Sequence, residues 1–315
     1  MIELSEEEII SNWYSDSIKV SICCITYNQE EYISNTLDGF LSQKTSFAFE
    51  ILINDDASTD RNQEIIKSYE EKYPRLIKPI YQKENQRSKI GPVINVEFNY
   101  LRAAGDYIAL CEGDDYWKDP NKLQKQYDFM EANQDCSVCF TAALYRNDAK
   151  PSKSFIKKPV NYEETKKYSL TESIYKAGDF MPTPTVFFRT KYAHQLPKWF
   201  YDSPVGDMPL SLFLGTVGKY GYLDFVGSVY RVNASSSWSS TMKFEKRRKV
   251  VQGLLKLLDE FNKYTEFEYQ REVGKEKKRV IFNDRKSIVK RAISTSFIGK
   301  LIKKVIGDNN YHDKN

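Results

Sequence analysis

Two adjacent aspartates, Asp114 and Asp115, follow an apolar run at residues 107–111 after only Glu112-Gly113. Neighbouring carboxylates at the end of a buried strand repel one another, and a fold holds them there when a cation or hydrogen-bond donors neutralise them. A hard divalent ion, magnesium or manganese, suits such a pair. It prefers oxygen ligands, uses one or two carboxylates, and completes its shell with phosphate oxygens and water. A second pair, Asp55-Asp56, ends the apolar run at 49–53, and Thr26-Tyr27-Asn28 ends the run at 20–25.

The elements that must position these residues follow from periodicity. The runs at 20–25, 49–53, 76–81 and 107–111 read as buried strands, separated by segments of helical period. Ile33, Leu37, Phe40 and Leu41 form one such face; Ile65, Ile66 and Tyr69 form another, ending before Pro74. A third helix after Gly91-Pro92 carries Val93, Val96 and Tyr100. Asp119-Pro120 reads as an N-cap followed by proline at the first helical position, leading into Leu123, Tyr127 and Met130. Strands alternating with helices predict an α/β fold with a mainly parallel sheet, in which ligands collect at the carboxyl ends of the strands. A further strand is expected at 136–142, then a flexible lysine-rich connection at 145–168. Beyond it lie loops, short strands and one helix after Gly206-Asp207. Helical period returns after residue 241, with a gap at 264–274.

The 315 residues accommodate one or two domains, and 41% hydrophobic with 29% charged residues describes a folded chain. A net charge of +4 is too small to point to nucleic acid. The five cysteines are an odd number inside apolar runs and read as reduced core residues. Cys136 and Cys139 have CxxC spacing, but with no second pair and only His194 and His312 available, zinc is not expected. No stretch reaches the roughly 20 apolar residues of a membrane span, and the first residues are acidic, so the expected location is the cytoplasm.

Taken together, Val20-Ser21-Ile22 through Thr26-Tyr27-Asn28, Asn54-Asp55-Asp56-Ala57-Ser58-Thr59-Asp60, Gly105-Asp106-Tyr107-Ile108-Ala109 and Glu112-Gly113-Asp114-Asp115-Tyr116-Trp117 resemble, in order, the motifs of family 2 glycosyltransferases of the GT-A fold. That resemblance implies a mostly inverting, metal-dependent enzyme of bacterial surface polysaccharide assembly. The donor would be a nucleotide-sugar, in the first instance a UDP-sugar, and the acceptor a hydroxyl of a saccharide or lipid-linked saccharide. It implies that Thr26 and Tyr27 contact the base and that Asp56, with Asp55, bonds the uracil ring. Asp114 would hold the ribose and contribute to the metal site, and Asp115 would ligate the Mn²⁺ or Mg²⁺. Arg87 or Lys89 would lie near the diphosphate, and Asp207, opening a helix in the second half, would be the catalytic base. Tyr230-Arg231-Val232-Asn233 resembles a stretch where some members carry a histidine, here Asn233.

The chain is expected to divide into a lead-in (1–17), a glycosyltransferase domain (18–240, nucleotide half 18–144 and acceptor half 145–240) and, outside the resemblance, which covers roughly Ile18 to Trp238, a helical extension (241–315) read from periodicity alone. Residues 275–304 carry eleven Lys or Arg against Glu276 and Asp284. Val289, Ile293, Phe297, Leu301 and Val305 recur every four positions, the pattern of a basic amphipathic helix that either lies on an anionic membrane or packs on the domain. The serine-rich segment 235–240 reads as a lid or a linker. Met181-Pro182-Thr183-Pro184-Thr185 reads as a stiff turn whose hydroxyls would face the acceptor. Two other classes remain for comparison. A nucleotidyltransferase would carry a glycine-rich loop where this chain has Thr26-Tyr27-Asn28-Gln29-Glu30, and a silent sugar-binding module would have no need of Asp115 and Asp207.

Overall fold

The structure, a computed structural model, describes residues 4–159, 164–232 and 244–295. It comprises two compact units, Met1–Lys243 and Phe244–Asn315.

In the first unit the described strands are β1 (Ile18–Thr26), β2 (Ala48–Asp55), β3 (Ile77–Tyr81), β4 (Tyr107–Leu110), β5 (Tyr116–Trp117), β6 (Cys136–Arg146), β7 (Phe155–Lys157), β8 (Lys166–Tyr168), β9 (Phe187–Arg189) and β10 (Lys219–Arg231). They form one sheet in the order β3-β2-β1-β4-β9-β6-β10-β5, with β7 paired to β6 and β8 to β10. β1 to β4 run parallel to one another. β9 is antiparallel to both β4 and β6, and β10 runs parallel to β6. The mainly parallel α/β sheet expected from the apolar runs is the observed one. Val20, Ile22 and Cys24 on one face and Ser21 and Cys23 on the other are all buried, as strands covered on both sides require.

Because β2 and β3 lie to one side of β1 and β4 to the other, the strand order reverses at β1. A sheet of this kind opens a crevice at such a reversal, at the carboxyl ends of the strands. Thr26 and the segment Glu112–Asp115 flank this point.

Several expectations need correction. The helix expected to start at Asp119-Pro120 begins two residues later, as Lys122–Ala132, with no side-chain cap. The Asp119 carboxylate instead accepts from the Asn121 N–H (2.8 Å) and the Lys125 ammonium (2.6 Å). The helix expected near residues 93–101 is broken into the turn Arg87–Ile90, a 3₁₀ turn, the helix Ile94–Phe98 and another 3₁₀ turn. Residues 145–168 are not simply a flexible connection: β6 extends to Arg146, and β7 and β8 follow, strands of three residues that are too short to announce a period. The two halves divide the sequence but not the sheet, since β9 of the second half is hydrogen-bonded to β4 of the first. Ahead of β1, a short helix, Glu6–Ile10, opens with a Ser5/Glu8 capping box and buries Ile9 in the core.

The second unit contains helices Phe244–Tyr264 and Gln270–Thr295, packed through Leu257, Leu258, Phe261, Val273 and Val280. Ion pairs Asp259–Lys277 (2.7 Å) and Arg247–Asp284 (3.5 Å) fix them antiparallel. The turn between them, at 265–269 with Glu266 and Phe267 in left-handed backbone, falls in the expected pattern gap at 264–274, and the second helix takes up the rest of that gap, Gly274 included. Most of the apolar repeat at 289–306, the serine-rich segment 235–240 and Asn233 fall outside the described side chains. Among the described residues, no helix is long and apolar enough to cross a membrane.

Candidate active site

The loops after β1 and β2 are laced together. The Asn28 N–H donates to Ser58 Oγ (2.9 Å), and Asn28 Oδ1 accepts from the Thr59 N–H (2.7 Å). Asn28 and Ala57 both adopt left-handed backbone, φ 51° and 61°. Asp55 is fully buried, and its oxygens accept from the Ser58 N–H (3.0 Å), Asn62 Nδ2 (2.7 Å) and Gln63 Nε2 (2.6 Å). It therefore builds the turn. Asp56 accepts from the N–H groups of Gln86 (2.6 Å) and Arg87 (3.1 Å), fastening the Arg87 turn to the end of β2. Burial raises its carboxyl from the ordinary range, and those two donors draw it back. Thr26 is buried, donating to Gln29 Oε1 (2.8 Å) and accepting from Asn62 (3.0 Å). Tyr27, by contrast, is 41% exposed, its ring free to meet a planar partner.

After β4 the chain presents Glu112, Asp114 and Asp115 within four residues. Gly113 lets this turn approach β1: a Cβ there would lie 2.5 Å from Gln29 Oε1 and 2.6 Å from Thr26 Oγ1, closer than any side chain tolerates. Gln29 bonds the Asp114 side chain. Thr36 Oγ1 donates to the carbonyls of Gly113 (2.9 Å) and Asp115 (2.6 Å), locking the turn from beneath. Asp115 Oδ1 accepts from the Arg231 N–H (2.8 Å), while Asp115 Oδ2 is buried without a hydrogen-bond partner. Burial first, then the negative charges of Asp114 and Glu112, push the Asp115 carboxyl far above its usual range. Burial raises Asp114 as well, against the pull of Arg231. Glu112 is pushed up to about 7 by burial and by Asp114, with Arg87 opposing.

Glu112 and Asp114 line a cleft of about 180 Å³ together with Arg87, Asp207 and Tyr230. Asp207 is the first residue of the helix Asp207–Thr216, whose Met208, Leu210, Leu212, Phe213 and Leu214 are buried. Pro209 is tolerated there because the first helical turn needs no N–H from it. The Asp207 carboxylate accepts from the Met208 N–H (2.7 Å). Although this side chain opens to the cleft, crowding by the walls desolvates it and raises its carboxyl above the ordinary range. Asp179 adds to that rise, and the Met208 N–H and Arg87 oppose it.

The cleft thus brings Asp114, Arg87 and Asp207 together from three separate segments. Lys89 does not line it; its ammonium is paired with Glu84. Of the two threonines in the 183–185 turn, Thr183 lines the cleft, whereas Thr185 is buried and donates to the Pro182 carbonyl (2.7 Å). Sequence reasoning assigned no role to Glu112, Tyr230 or Arg231. Arg231 is buried, and its guanidinium donates to the Asp114 carbonyl (2.5 Å) and Asn35 Oδ1 (3.1 Å) between the rings of Tyr32 and Tyr116. All five cysteines are free and buried.

Residues 21–194, more than half of the chain, match the model of glycosyl transferase family 2. The chain belongs to glycosyl transferase family 2. An uncharacterized protein of Mycobacterium tuberculosis is 36% identical to it over 236 residues, covering 73% of this chain and 63% of the relative. The putative teichuronic acid biosynthesis glycosyltransferase TuaG of Bacillus subtilis is 33% identical over 154 residues, covering 48% of this chain and 58% of that protein. The chain thus spans less than two thirds of the length of these curated relatives. Among solved structures, this family 2 glycosyltransferase resembles S. aureus TarS 1–349 in complex with UDP-GlcNAc (TM-score 0.59, 19% identity, 77% of this chain and 66% of that one). It also resembles the mannosyltransferase PcManGT from Pyrobaculum calidifontis in complex with GDP-Man and Mn²⁺ (TM-score 0.56, 12% identity, 96% and 84%). At such identities the likeness is one of fold, and the fold is that of the GT-A glycosyltransferases.

Proposed function

We propose that this glycosyltransferase moves a sugar, with inversion, from a UDP-sugar to a hydroxyl of a saccharide or lipid-linked saccharide in bacterial surface polysaccharide assembly. The observation that carries this reading is the convergence of Asp114, Arg87 and Asp207 on one cleft beside the buried carboxylate of Asp115. TuaG, a putative teichuronic acid enzyme, supports the polysaccharide role, and the nucleotide-sugars bound by TarS and PcManGT support the donor class.

Each residue has a task in this scheme. Tyr27 offers its exposed ring to the base. Asp56 lies at the same end of the sheet, with lone pairs left beside its two main-chain bonds to reach the ring. Asp114 takes the ribose, and Arg87 faces the diphosphate. The orphaned Asp115 Oδ2, crowded by two further carboxylates, fits a divalent cation, with Asp114 beside it. Among the described residues no group of three or more metal-binding side chains converges, so phosphate oxygens and water would complete the shell. Such a cation, when bound, supplies positive charge to the departing diphosphate. Asp207, its carboxyl raised and so a stronger base than an ordinary carboxylate, takes the proton from the acceptor hydroxyl on the face of the sugar opposite the leaving group.

The second unit supports contact with an anionic membrane surface from the cytoplasmic side. Phe282 and Ile288 are exposed on a helix that also carries Lys278, Arg285 and Lys286.

Calorimetry with UDP and Mn²⁺, followed by donor-hydrolysis assays, tests the central reading. UDP should bind in the presence of Mn²⁺ and bind far more weakly in chelator; equal binding in both would overturn the metal assignment. Sedimentation with phosphatidylglycerol vesicles tests the membrane contact, which fails if the protein stays in the supernatant.

A further inference from the structure

Tyr230 lines the cleft that holds Asp207, and it does not stand alone. In the register of the sheet Tyr230 of β10 is paired with Tyr145 of β6, and Tyr145 with Phe155 of β7. The three rings stack in that order, with centroids 4.7 Å apart at 23° and then 5.1 Å apart at 31°. A continuous aromatic row, its rings laid face to face with Tyr145 between the other two, therefore leaves the cleft along three neighbouring strands. Its outer end is not covered: Phe155 is 52% exposed, and its neighbour Ile156 is 53% exposed.

A large apolar side chain half in water gains little from folding, so its place at the end of an ordered stack calls for a partner. The surroundings restrict which partner fits. Lys157 passes 5.9 Å from the Tyr145 ring centre and pairs with Asp179 (2.6 Å), whose charge also bears on Asp207. On the other flank Arg146 bonds Asp148 and the Tyr116 hydroxyl (3.1 Å). An apolar row that ends in the open ring of Phe155 and is edged by ion pairs suits a ligand with flat C–H faces and a hydroxyl rim. Pyranose rings have that form, whereas an acyl chain offers no polar group to the flanking ion pairs and would strip water from them.

We infer that the Tyr230–Tyr145–Phe155 row is the acceptor track and that the acceptor is an oligosaccharide of at least two sugar units. This rests on the glycosyltransferase reading above. The terminal sugar would lie against Tyr230, its hydroxyl turned toward Asp207, and the preceding unit would cross the edge of Tyr145 to the open ring of Phe155. Two strand spacings, about 10 Å, give the row room for two linked pyranoses. Phe155 is then a specificity-determining residue for acceptor length, remote from donor binding.

The test is binding of the full chain, with UDP and Mn²⁺ present, to an array of bacterial glycans of graded length. Phe155→Ala, Phe155→Trp and Tyr145→Leu are compared with wild type. The bound glycans should contain two or more sugar units. Phe155→Ala should weaken binding roughly three- to tenfold, the range of a single aromatic contact. Phe155→Trp should retain binding, and Tyr145→Leu should lose at least as much as Phe155→Ala. Because Phe155 lies at the surface, Phe155→Ala should keep the wild-type Tm and UDP affinity. The inference is overturned if no glycan binds, if single sugars bind as well as longer ones, or if Phe155→Ala leaves glycan affinity unchanged. A loss of vesicle binding instead of glycan binding in that variant would equally overturn it. Failure of the wild type to bind UDP at all would count against the glycosyltransferase site rather than against the track.

Discussion

Arg231 holds both aspartates of the Asp114-Asp115 pair by their less obvious atoms: its main-chain N–H bonds the Asp115 carboxylate at 2.8 Å, and its guanidinium bonds the Asp114 main-chain carbonyl at 2.5 Å. The end of β10 thereby sets the orientation of a turn that follows β4. Arg231→Lys keeps the charge and the N–H but loses the planar fork that reaches Asn35 and Asp114 together. Transfer should fall ~10- to 100-fold, with a higher Mn²⁺ concentration needed for half-maximal rate. A manganese titration of initial rates measures this.

Asp115→Asn separates the cost of the site from its use. Removing one of three crowded carboxylates should raise the Tm of the metal-free protein, because Asp115 is buried against Asp114 and Glu112. The same substitution should abolish the extra stabilisation given by UDP with Mn²⁺ and reduce transfer by at least ~100-fold. Thermal shift with and without EDTA distinguishes the two effects, and EDTA should bring the wild type to the same low rate.

Asp207→Asn should stop transfer while leaving UDP affinity within about twofold, since a base acts on the acceptor proton. In the wild type the base form is lost as pH falls through a carboxyl value raised by desolvation and by Asp179. The acid limb of kcat/KM should therefore lie above the usual carboxylate value of about 4. Asp179→Asn removes a neighbouring negative charge and should move that limb to lower pH. A pH–rate profile of both proteins checks the direction.

Gly113→Ala should cost about 1–3 kcal/mol of stability and weaken UDP binding, because the added methyl meets Gln29 and Thr26 at 2.5–2.7 Å. Chemical denaturation and calorimetry would report the two losses separately.

Lys122 provides a pH signature of stability. Its ammonium is fully buried without a hydrogen-bond partner, over the Trp117 ring at 3.9 Å, and desolvation lowers it to about 7. Below pH 7 both the folded and the unfolded chain hold this proton, and the full penalty is present. Between pH 7 and the unfolded value near 10.5 only the unfolded chain holds it, so stability rises with pH by up to about 1.4 kcal/mol per unit. Lys122→Met should be more stable than wild type at pH 6.5 and should lack that rise. Urea unfolding from pH 6.5 to 9 measures both.

The strands around the crevice were legible because β1, β2 and β4 are apolar on both faces and end abruptly in polar residues. Asp114 and Asp115 stood out for the same reason. Other features depend on residues distant in sequence. Nothing near Arg231 announces a partner 117 positions away, and the stacking of Tyr145 with Phe155 and Tyr230 exists only once β6, β7 and β10 are paired. Arg87 and Lys89 were alternatives for the diphosphate, but side chains two apart on a helical turn face different sides, and of the two only Arg87 lines the cleft. Asp55 shows the reverse: an acidic residue at a strand end whose oxygens are already occupied by its own turn.

The antiparallel strand β9, hydrogen-bonded on both edges, ties the nucleotide side of the cleft to the side that bears Asp207. A joint of that kind leaves no seam along which the two sides of the sheet can swing apart. Any parting of the two sides there would cost the main-chain hydrogen bonds of both edges of one strand at once.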